Sequence, residues 1–164
     1  MRSVADSRTV FNRYSFRSMW RLAAPPGDVY AALAELADYP SWWPEVRRAE
    51  SRGGNTYELT CRSLLPYDLV FTTTQQRRDP VAGVLEASMV GDLSGFSRWT
   101  ITASGAGTEA VFEEEVELKK ASLRRLSPVA RPAFRGNHTL MMRHGHRGLT
   151  AYVAGYGLRD RQRP

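Results

Sequence analysis

The strongest constraint on the fold is a series of short alternating runs between Asn55 and Leu118. In each run apolar residues recur at every second position, which is the period of a β-strand with one buried face. Turn-forming residues separate the runs, in RDP, VGD and SGAG. Because strands that follow one another through short turns pair antiparallel, this region predicts an antiparallel sheet. The runs are NTYELTCRSLL, YDLVFTTTQQRR, GVLEASMVG, FSRWTITA and TEAVFEEEVEL.

Further elements lie on both sides of this region. Before it, YSFRSMWRLA alternates as a strand, PPGDVYAALAELADY has helical spacing, and Pro40 and Pro44 bracket a short turn or helical turn. After it, the spacing predicts one long helix over residues 128–156. One stripe of this helix carries Phe134, His138, Met141, Leu149 and Tyr152. The pattern predicts an α+β fold, in which a curved antiparallel sheet of six to seven strands wraps around a long C-terminal helix, with two short helices after the first strand. A cavity between sheet and helix is a natural consequence of this architecture.

Length and composition limit the class of protein. The 164 residues, 42% hydrophobic and 24% charged, fit one domain. We expect a loose N-terminal segment at residues 1–10, a single domain over residues 11–156 and a loose basic tail at residues 157–164. Cys61 is the only cysteine, which excludes an intrachain disulfide and a cysteine-based zinc site. The opening residues lack a signal-peptide core, and no stretch approaches the ~20 apolar residues of a membrane span, so we expect a cytoplasmic protein.

The positive charge is concentrated near the C-terminus. The net charge is +6, and from Lys119 onward Asp160 is the only acidic residue. Such a basic region can attract nucleic acid or anionic lipid head groups, but it is more often a solvated helix face with a basic tail. Because the motifs of nucleic-acid binders are missing, we expect no DNA partner. Association into a homodimer is left open.

Four stretches that span most of the chain carry a family resemblance: APPGDVYAALAELADYPSWWPEV, GDLSGFSRWTI, GTEAVFEEEVELKK and LSPVARPAFRGNHTLMMRHGHRGL. The sequence resembles the SRPBCC or START-like superfamily, whose helix-grip fold includes the birch-pollen allergen. More narrowly, it is similar to the bacterial polyketide cyclase/dehydrase and lipid transport branch. The resemblance implies a hydrophobic or amphipathic small molecule held between the sheet and the last helix. We expect no cofactor. It carries no catalytic motif onto a numbered position of this chain.

Glu114 and His138 are the candidate catalytic residues. In its strand, Glu114 shares the parity of Phe112 and Val116, which predicts an inward-facing carboxylate. His138 lies on the inward stripe of the long helix, and histidine can move protons near neutral pH. A histidine that faces a glutamate across a pocket suits proton removal from a polyketide carbon. The alternatives are a carboxylate turned outward or paired structurally, and a histidine that is part of the core.

Ten apolar and aromatic residues are candidates for the cavity wall, because they fall on inward-facing positions. The alternative is that they fill the core. These residues are Trp42, Trp43, Tyr57, Tyr67, Phe71, Met89, Trp99, Phe112, Phe134 and Met141.

Three local features of the sequence refine this prediction. Of the two adjacent tryptophans, we expect one to fill the core under the first helix and the other to border the cavity. Gly145 and Gly148 leave room beside the long helix, either for a ligand or for close backbone packing. His144 and His146 are two residues apart, a spacing that does not suit a metal site on a helix, and we expect no bound metal.

Three functional hypotheses remain. The preferred one is binding of a hydrophobic or amphipathic small molecule, lipid-like or polyketide-like, in an internal cavity. The second is an enzyme, a polyketide aromatase/cyclase or dehydratase that uses Glu114 and His138. The third is an interaction module like the coenzyme Q-binding and ribosome-associated relatives of this fold, for which the basic helix would be suitable.

Overall fold

The computed structural model describes residues 12–62 and 64–160, with the backbone alone at residues 127–128 and 156–160. The predicted loose segment at residues 1–10 lies outside the described residues, as do residues 161–164 of the predicted tail. Helical backbone continues through residue 160, into the stretch predicted as a tail.

Seven strands form one antiparallel sheet, in the order β1-β7-β6-β5-β4-β3-β2. Strands β2 to β7 follow one another as hairpins, and β1 pairs with β7. The strands are β1 Arg13–Leu22, β2 Val46–Gly53, β3 Thr56–Cys61, β4 Leu69–Asp79, β5 Val84–Gly91, β6 Leu93–Ser104 and β7 Gly107–Leu118. This confirms the predicted α+β fold with a curved antiparallel sheet and a long C-terminal helix.

Two short helices follow β1, and one long helix follows β7. The helices are α1 Pro26–Ala34, a 3-10 turn Leu36–Asp38, α2 Tyr39–Trp42 and α3 Ala121–Asp160. With 40 residues, α3 is about 60 Å long at 1.5 Å per residue. It begins well before the predicted start at Pro128. Proline favours the first turn of a helix, which explains that prediction, but here the helix continues across Pro128 and Pro132.

Strand β2 has no apolar signal in the sequence and was not predicted. Its residues VRRAESRG are mostly exposed, and only Val46 is buried. Because β2 is an edge strand that pairs with β3 alone, it buries little and shows no apolar alternation. A strand of this kind is held by its backbone ladder.

The tightest part of the core lies between the sheet, α1 and residues 142–153 of α3. Val29, Leu33 and Leu149 are at most 1% exposed. Beside them, the Trp20 ring lies 4.7 Å from Trp99 and 5.6 Å from Trp43, measured between ring centroids. Burial of each such aliphatic side chain stabilises the folded state by roughly 1.5–3 kcal/mol. In the described ranges, no helix has an apolar stretch long enough to cross a lipid bilayer.

Candidate functional site

Two adjoining cavities lie between α3 and the inner face of the sheet. The first, the His138 cavity, has a volume of about 110 Å³ and is bordered by His138, Tyr67 and Phe134. The second, the Trp43 cavity, has a volume of about 100 Å³ and is bordered by Trp43 and Trp99. Four side chains border both cavities and therefore stand between them: Cys61, Phe71, Glu114 and Met141.

A hydrogen-bonded pair, Glu114 and His138, lies at this partition. Glu114 projects inward from β7 and is 8% exposed. The His138 ring projects from α3, and its Nε2 is 3.0 Å from the Glu114 Oε2. Phe16 of β1 stacks on the imidazole at 3.7 Å between centroids, with planes 10° apart. The ring is therefore fixed both by the carboxylate and by an aromatic face. In otherwise apolar surroundings, this pair provides a defined point for hydrogen bonding.

Most of the predicted cavity residues line one cavity or both. Tyr67 and Phe134 line the His138 cavity, as do Phe71 and Met141, which are shared. The Trp43 cavity is lined, among others, by Trp43, Met89, Trp99 and Phe112.

Two of the predicted cavity residues, Trp42 and Tyr57, line neither of these cavities. The ring of Trp42 packs between Tyr39 and Tyr152, on the far side of Trp43. Tyr57 is half-buried against the core, but its strand lies near the open edge of the sheet. Inward parity therefore does not by itself place a residue beside the cavities.

The contacts of the two tryptophans also explain why α3 has glycine at positions 145 and 148. Trp43 donates a hydrogen bond from Nε1 to the carbonyl oxygen of Met141, over 3.0 Å. A Cβ atom at Gly145 would lie 2.5 Å from the Trp43 ring, and one at Gly148 would overlap the Trp42 carbonyl oxygen. The room beside α3 is thus occupied by the α2 segment, which presses its backbone and one indole ring against the helix.

A second histidine–glutamate pair joins His144 to Glu45, a residue that the sequence did not single out. His144 Nδ1 is hydrogen-bonded to Oε1 of Glu45, which precedes β2 and is 6% exposed. Within the described residues, the Glu45 Oε2 has no hydrogen-bond partner. The third histidine, His146, contacts the carbonyl oxygen of Arg21. The described residues contain no group of three or more His, Cys, Asp or Glu that could hold a metal ion. Neither Glu45 nor His144 lines the two cavities.

Two further groups keep their protons at neutral pH. Burial, and then the nearby Glu114 and Glu45 carboxylates, raise the pKa of the Cys61 thiol to about 12. Burial, and then the neighbouring Tyr14, raise the pKa of the Tyr67 hydroxyl to about 12. Both groups face the His138 cavity as neutral donors. The site therefore combines an apolar wall, neutral donors and one carboxylate–imidazole pair.

The sequence also contains signals for cavity residues that were not singled out. Tyr14 and Phe16 share one face of β1, and Cys61 has the parity of Leu59 in β3. Tyr14, Phe16 and Cys61 all border the His138 cavity. Parity places them on the inner face, but the pairing of β1 with β7 is needed to place them beside His138.

Comparisons with known proteins agree with this architecture. The model of the family described as polyketide cyclase / dehydrase and lipid transport matches residues 15–154. A comparison with curated proteins gives no match.

Three solved structures illustrate the shared fold. TTHA0849 from Thermus thermophilus is 17% identical, with a TM-score of 0.75 over 87% of this chain and 99% of that chain. The Zhui aromatase/cyclase from a Streptomyces species is 15% identical, with a TM-score of 0.71 over 87% and 94%. A START superfamily protein from Mycobacterium smegmatis is 18% identical, with a TM-score of 0.67 over 87% and 98%. At these identities the likeness shows the fold alone. Because the family model spans most of the sequence, the chain belongs to the polyketide cyclase/dehydrase and lipid transport family.

Proposed function

We propose that the protein binds a hydrophobic or amphipathic small molecule between α3 and the sheet, with one oxygen function of the ligand at the Glu114–His138 pair. The observation that carries the proposal is the position of this pair, which lies at the partition between two apolar cavities. An apolar site with a few placed polar groups is the usual form of a small-molecule site. The family, which includes lipid transport in its description, supports the same class of ligand.

The size of the cavities narrows the ligand. Each is smaller than the roughly 300–1,000 Å³ of common ligand pockets, and a cavity of about 150 Å³ holds one benzene ring. A ligand of two rings therefore has to occupy both cavities. Met141 borders both, and its unbranched side chain can change rotamer at low cost. We infer that Met141 moves aside when such a ligand enters.

Binding can be tested with 2-naphthol and naphthalene, which differ only by one hydroxyl group. Isothermal titration calorimetry should show that the protein binds 2-naphthol about 10- to 100-fold more tightly, because the hydroxyl donates to the Glu114 carboxylate. In the double variant Glu114→Leu/His138→Phe both polar partners are removed together, so neither is left unpaired. There the two ligands should bind about equally.

The second pair provides the matched control. The variant Glu45→Leu/His144→Phe removes a histidine–glutamate pair whose histidine is also on α3, but which lies outside both cavities. It should keep the preference for 2-naphthol. If neither ligand binds the natural protein, or if the preference survives loss of Glu114 and His138, the proposed site is wrong.

A second candidate function is the cyclisation of a linear poly-ketone. It is favoured by one observation: Glu114, His138 and two tyrosines, Tyr14 and Tyr67, border the same cavity. His138 would remove a proton from a carbon between two carbonyl groups, which leaves an enolate, while Glu114 stabilises the imidazolium. The enolate carbon then attacks a second carbonyl carbon of the same chain. This forms a carbon–carbon bond and an alkoxide, which takes the proton back from His138.

This second function has its own test. The protein is incubated with a synthetic poly-β-ketone thioester, and ring formation is followed by ultraviolet absorbance. His138→Ala and Glu114→Gln should each lower the rate about 10²- to 10⁴-fold. Unchanged rates in both variants would exclude the catalytic role and leave binding as the function. The interaction-module hypothesis receives less support, because a filled interior would favour docking alone, whereas two cavities lie between α3 and the sheet.

A further inference from the structure

The first half of α3 has an exposed apolar surface that the fold does not use. Of the described side chains in residues 124–136, none is buried. Leu126 is 53% exposed and Val129 is 81% exposed, although both are large aliphatic residues. Across the cavity wall, Leu64 is 78% exposed, and its N–H donates to the Oδ1 of Asn137. Leu126 and Val129 are three residues apart on one helix and therefore neighbours on its surface, and large aliphatic side chains exposed together in this way indicate a contact surface.

The same stretch carries unbalanced positive charge. Residues 124–136 contain four arginines and no acidic residue. On the sheet, arginines such as Arg17, Arg21 and Arg98 pair with glutamates. In the part of the chain that the structure describes, no such ion pair is formed by five arginines of α3: Arg124, Arg125, Arg135, Arg143 and Arg147. Because no described carboxylate neutralises their charge, it is available to an anionic partner.

This surface adjoins the His138 cavity. The Arg131 guanidinium lies 4.7 Å above the Tyr14 ring, and that of Arg135 lies 6.0 Å from the Phe16 ring. Both rings line the cavity. Arg131 and Arg135 therefore stand between the cavity wall and solvent, at the margin of α3 that adjoins β1. Arg125 precedes Leu126 directly and is one helical turn from Val129, so it lies on the exposed apolar side of the helix.

We propose that residues 124–135 of α3 dock the protein on a membrane surface that contains anionic lipids, so that an apolar ligand passes between bilayer and cavity without crossing water. The ligand passage rests on the proposed function, whereas the docking itself does not. Arginines beside exposed aliphatic side chains are the pattern of a helix that lies in the interface of an anionic bilayer. A nucleic acid would satisfy the charges, but it would leave Leu126 and Val129 in water. An anionic lipid surface accounts for both the arginines and the exposed aliphatic side chains, and the adjacent cavity would receive the ligand.

The test is co-sedimentation of the ligand-free protein with vesicles. It should bind vesicles of phosphatidylcholine with about 30% phosphatidylglycerol, should bind pure phosphatidylcholine far more weakly, and should be released as salt is raised to about 0.5 M. Arg124→Gln/Arg125→Gln should weaken partitioning about 30-fold, at ~1 kcal/mol per charge. Leu126→Ser/Val129→Ser should weaken it about tenfold, through lost apolar insertion.

Matched controls are available on other faces of the molecule. Arg47→Gln/Arg48→Gln removes the same charge from the edge strand β2, and Val81→Ser/Val90→Ser removes two aliphatic side chains of 98% and 67% exposure. Both controls should bind vesicles like the natural protein. The proposal is overturned if the controls weaken binding as much as the α3 variants, if both kinds of vesicle bind equally, or if duplex DNA binds and anionic vesicles do not. None of the substituted side chains lines the cavities, so 2-naphthol binding should be unchanged and tests the proposed function independently.

Discussion

Residues 137–153 of α3 are fastened to the rest of the molecule, whereas residues 124–136 rest over a cavity. The fastened half buries Met142, Leu149 and Val153 and accepts a hydrogen bond from Trp43. The other half contributes Phe134 to the His138 cavity and otherwise faces solvent or lies at its margin, and the cavity continues under Asn137, His138 and Met141 at the start of the fastened half. The same helix therefore serves two purposes, and they are separated along its length.

The difference arises from what each half packs against. The α2 segment fills the side of α3 at Gly145 and Gly148, where the helix lies against the Trp43 ring and the Trp42 backbone, respectively. No comparable insertion fills the described region beneath Phe134 and His138, where the His138 cavity remains. The position of the cavities therefore follows from where the tryptophan pair inserts. The stabilising contacts are concentrated at one end of the helix, and open space remains at the other end.

The comparison between the two halves of α3 is tested most strongly by adding a single methyl group to one half or to the other. Gly148→Ala places a Cβ atom onto the Trp42 carbonyl oxygen, a collision with backbone that cannot be relieved by a rotamer change. We expect a loss of about 3 kcal/mol or more in the free energy of unfolding, measured by urea denaturation. Gly136→Ala meets nothing within 4 Å and should stabilise by up to ~1 kcal/mol through helix propensity. Similar effects of both substitutions would show that the two halves are held alike.

A smaller effect is expected for the thiol group of Cys61, which lies between the two cavities. Cys61 faces both cavities, and its pKa in the folded protein is about 12, compared with 9.0 for a free thiol. The folded protein keeps the thiol proton to a higher pH than the unfolded chain does. Cys61 therefore contributes fully to the free energy of unfolding below about pH 9, and this contribution is lost as the pH rises from 9 to 12.

Alkylation measures this directly, since only the thiolate reacts. At about pH 8.5 iodoacetamide should modify Cys61 of the folded protein at least about 100-fold more slowly than in urea. As the only cysteine, Cys61 gives an unambiguous signal. Equal rates in the folded and unfolded protein would mean that the space around the thiol is open to bulk water.

The sheet was predictable because most of its strands alternate, and the exceptions have physical causes. Strand β2 buries almost nothing, and α3 begins before two prolines that usually mark a first turn. Strand parity places Glu114 on the inner face, and the helical stripe places His138 opposite it, so the two residues could be named from the sequence. Their roles in binding or catalysis stay predictions.

Other contacts have no local signal. Glu45 lies in the short connection before β2 and is 99 residues from its partner His144. Neither strand parity nor helical spacing describes that connection, so the pair could not be predicted. In the same way, the roles of Trp42 and Trp43 are decided by two glycines about a hundred residues away. Contacts of this kind depend on tertiary packing and require coordinates.

The most direct test of the binding site is a crystal structure of the protein soaked with 6-bromo-2-naphthol, in which the anomalous signal of bromine locates the ligand. We expect the bromine in the Trp43 cavity, near Met89 and Trp99, and the hydroxyl oxygen within about 3 Å of Glu114 or His138. We also expect the Met141 side chain in a new rotamer. A bromine peak found only on the outer surface, with both cavities unchanged, would contradict the proposal that this protein holds its ligand between helix and sheet.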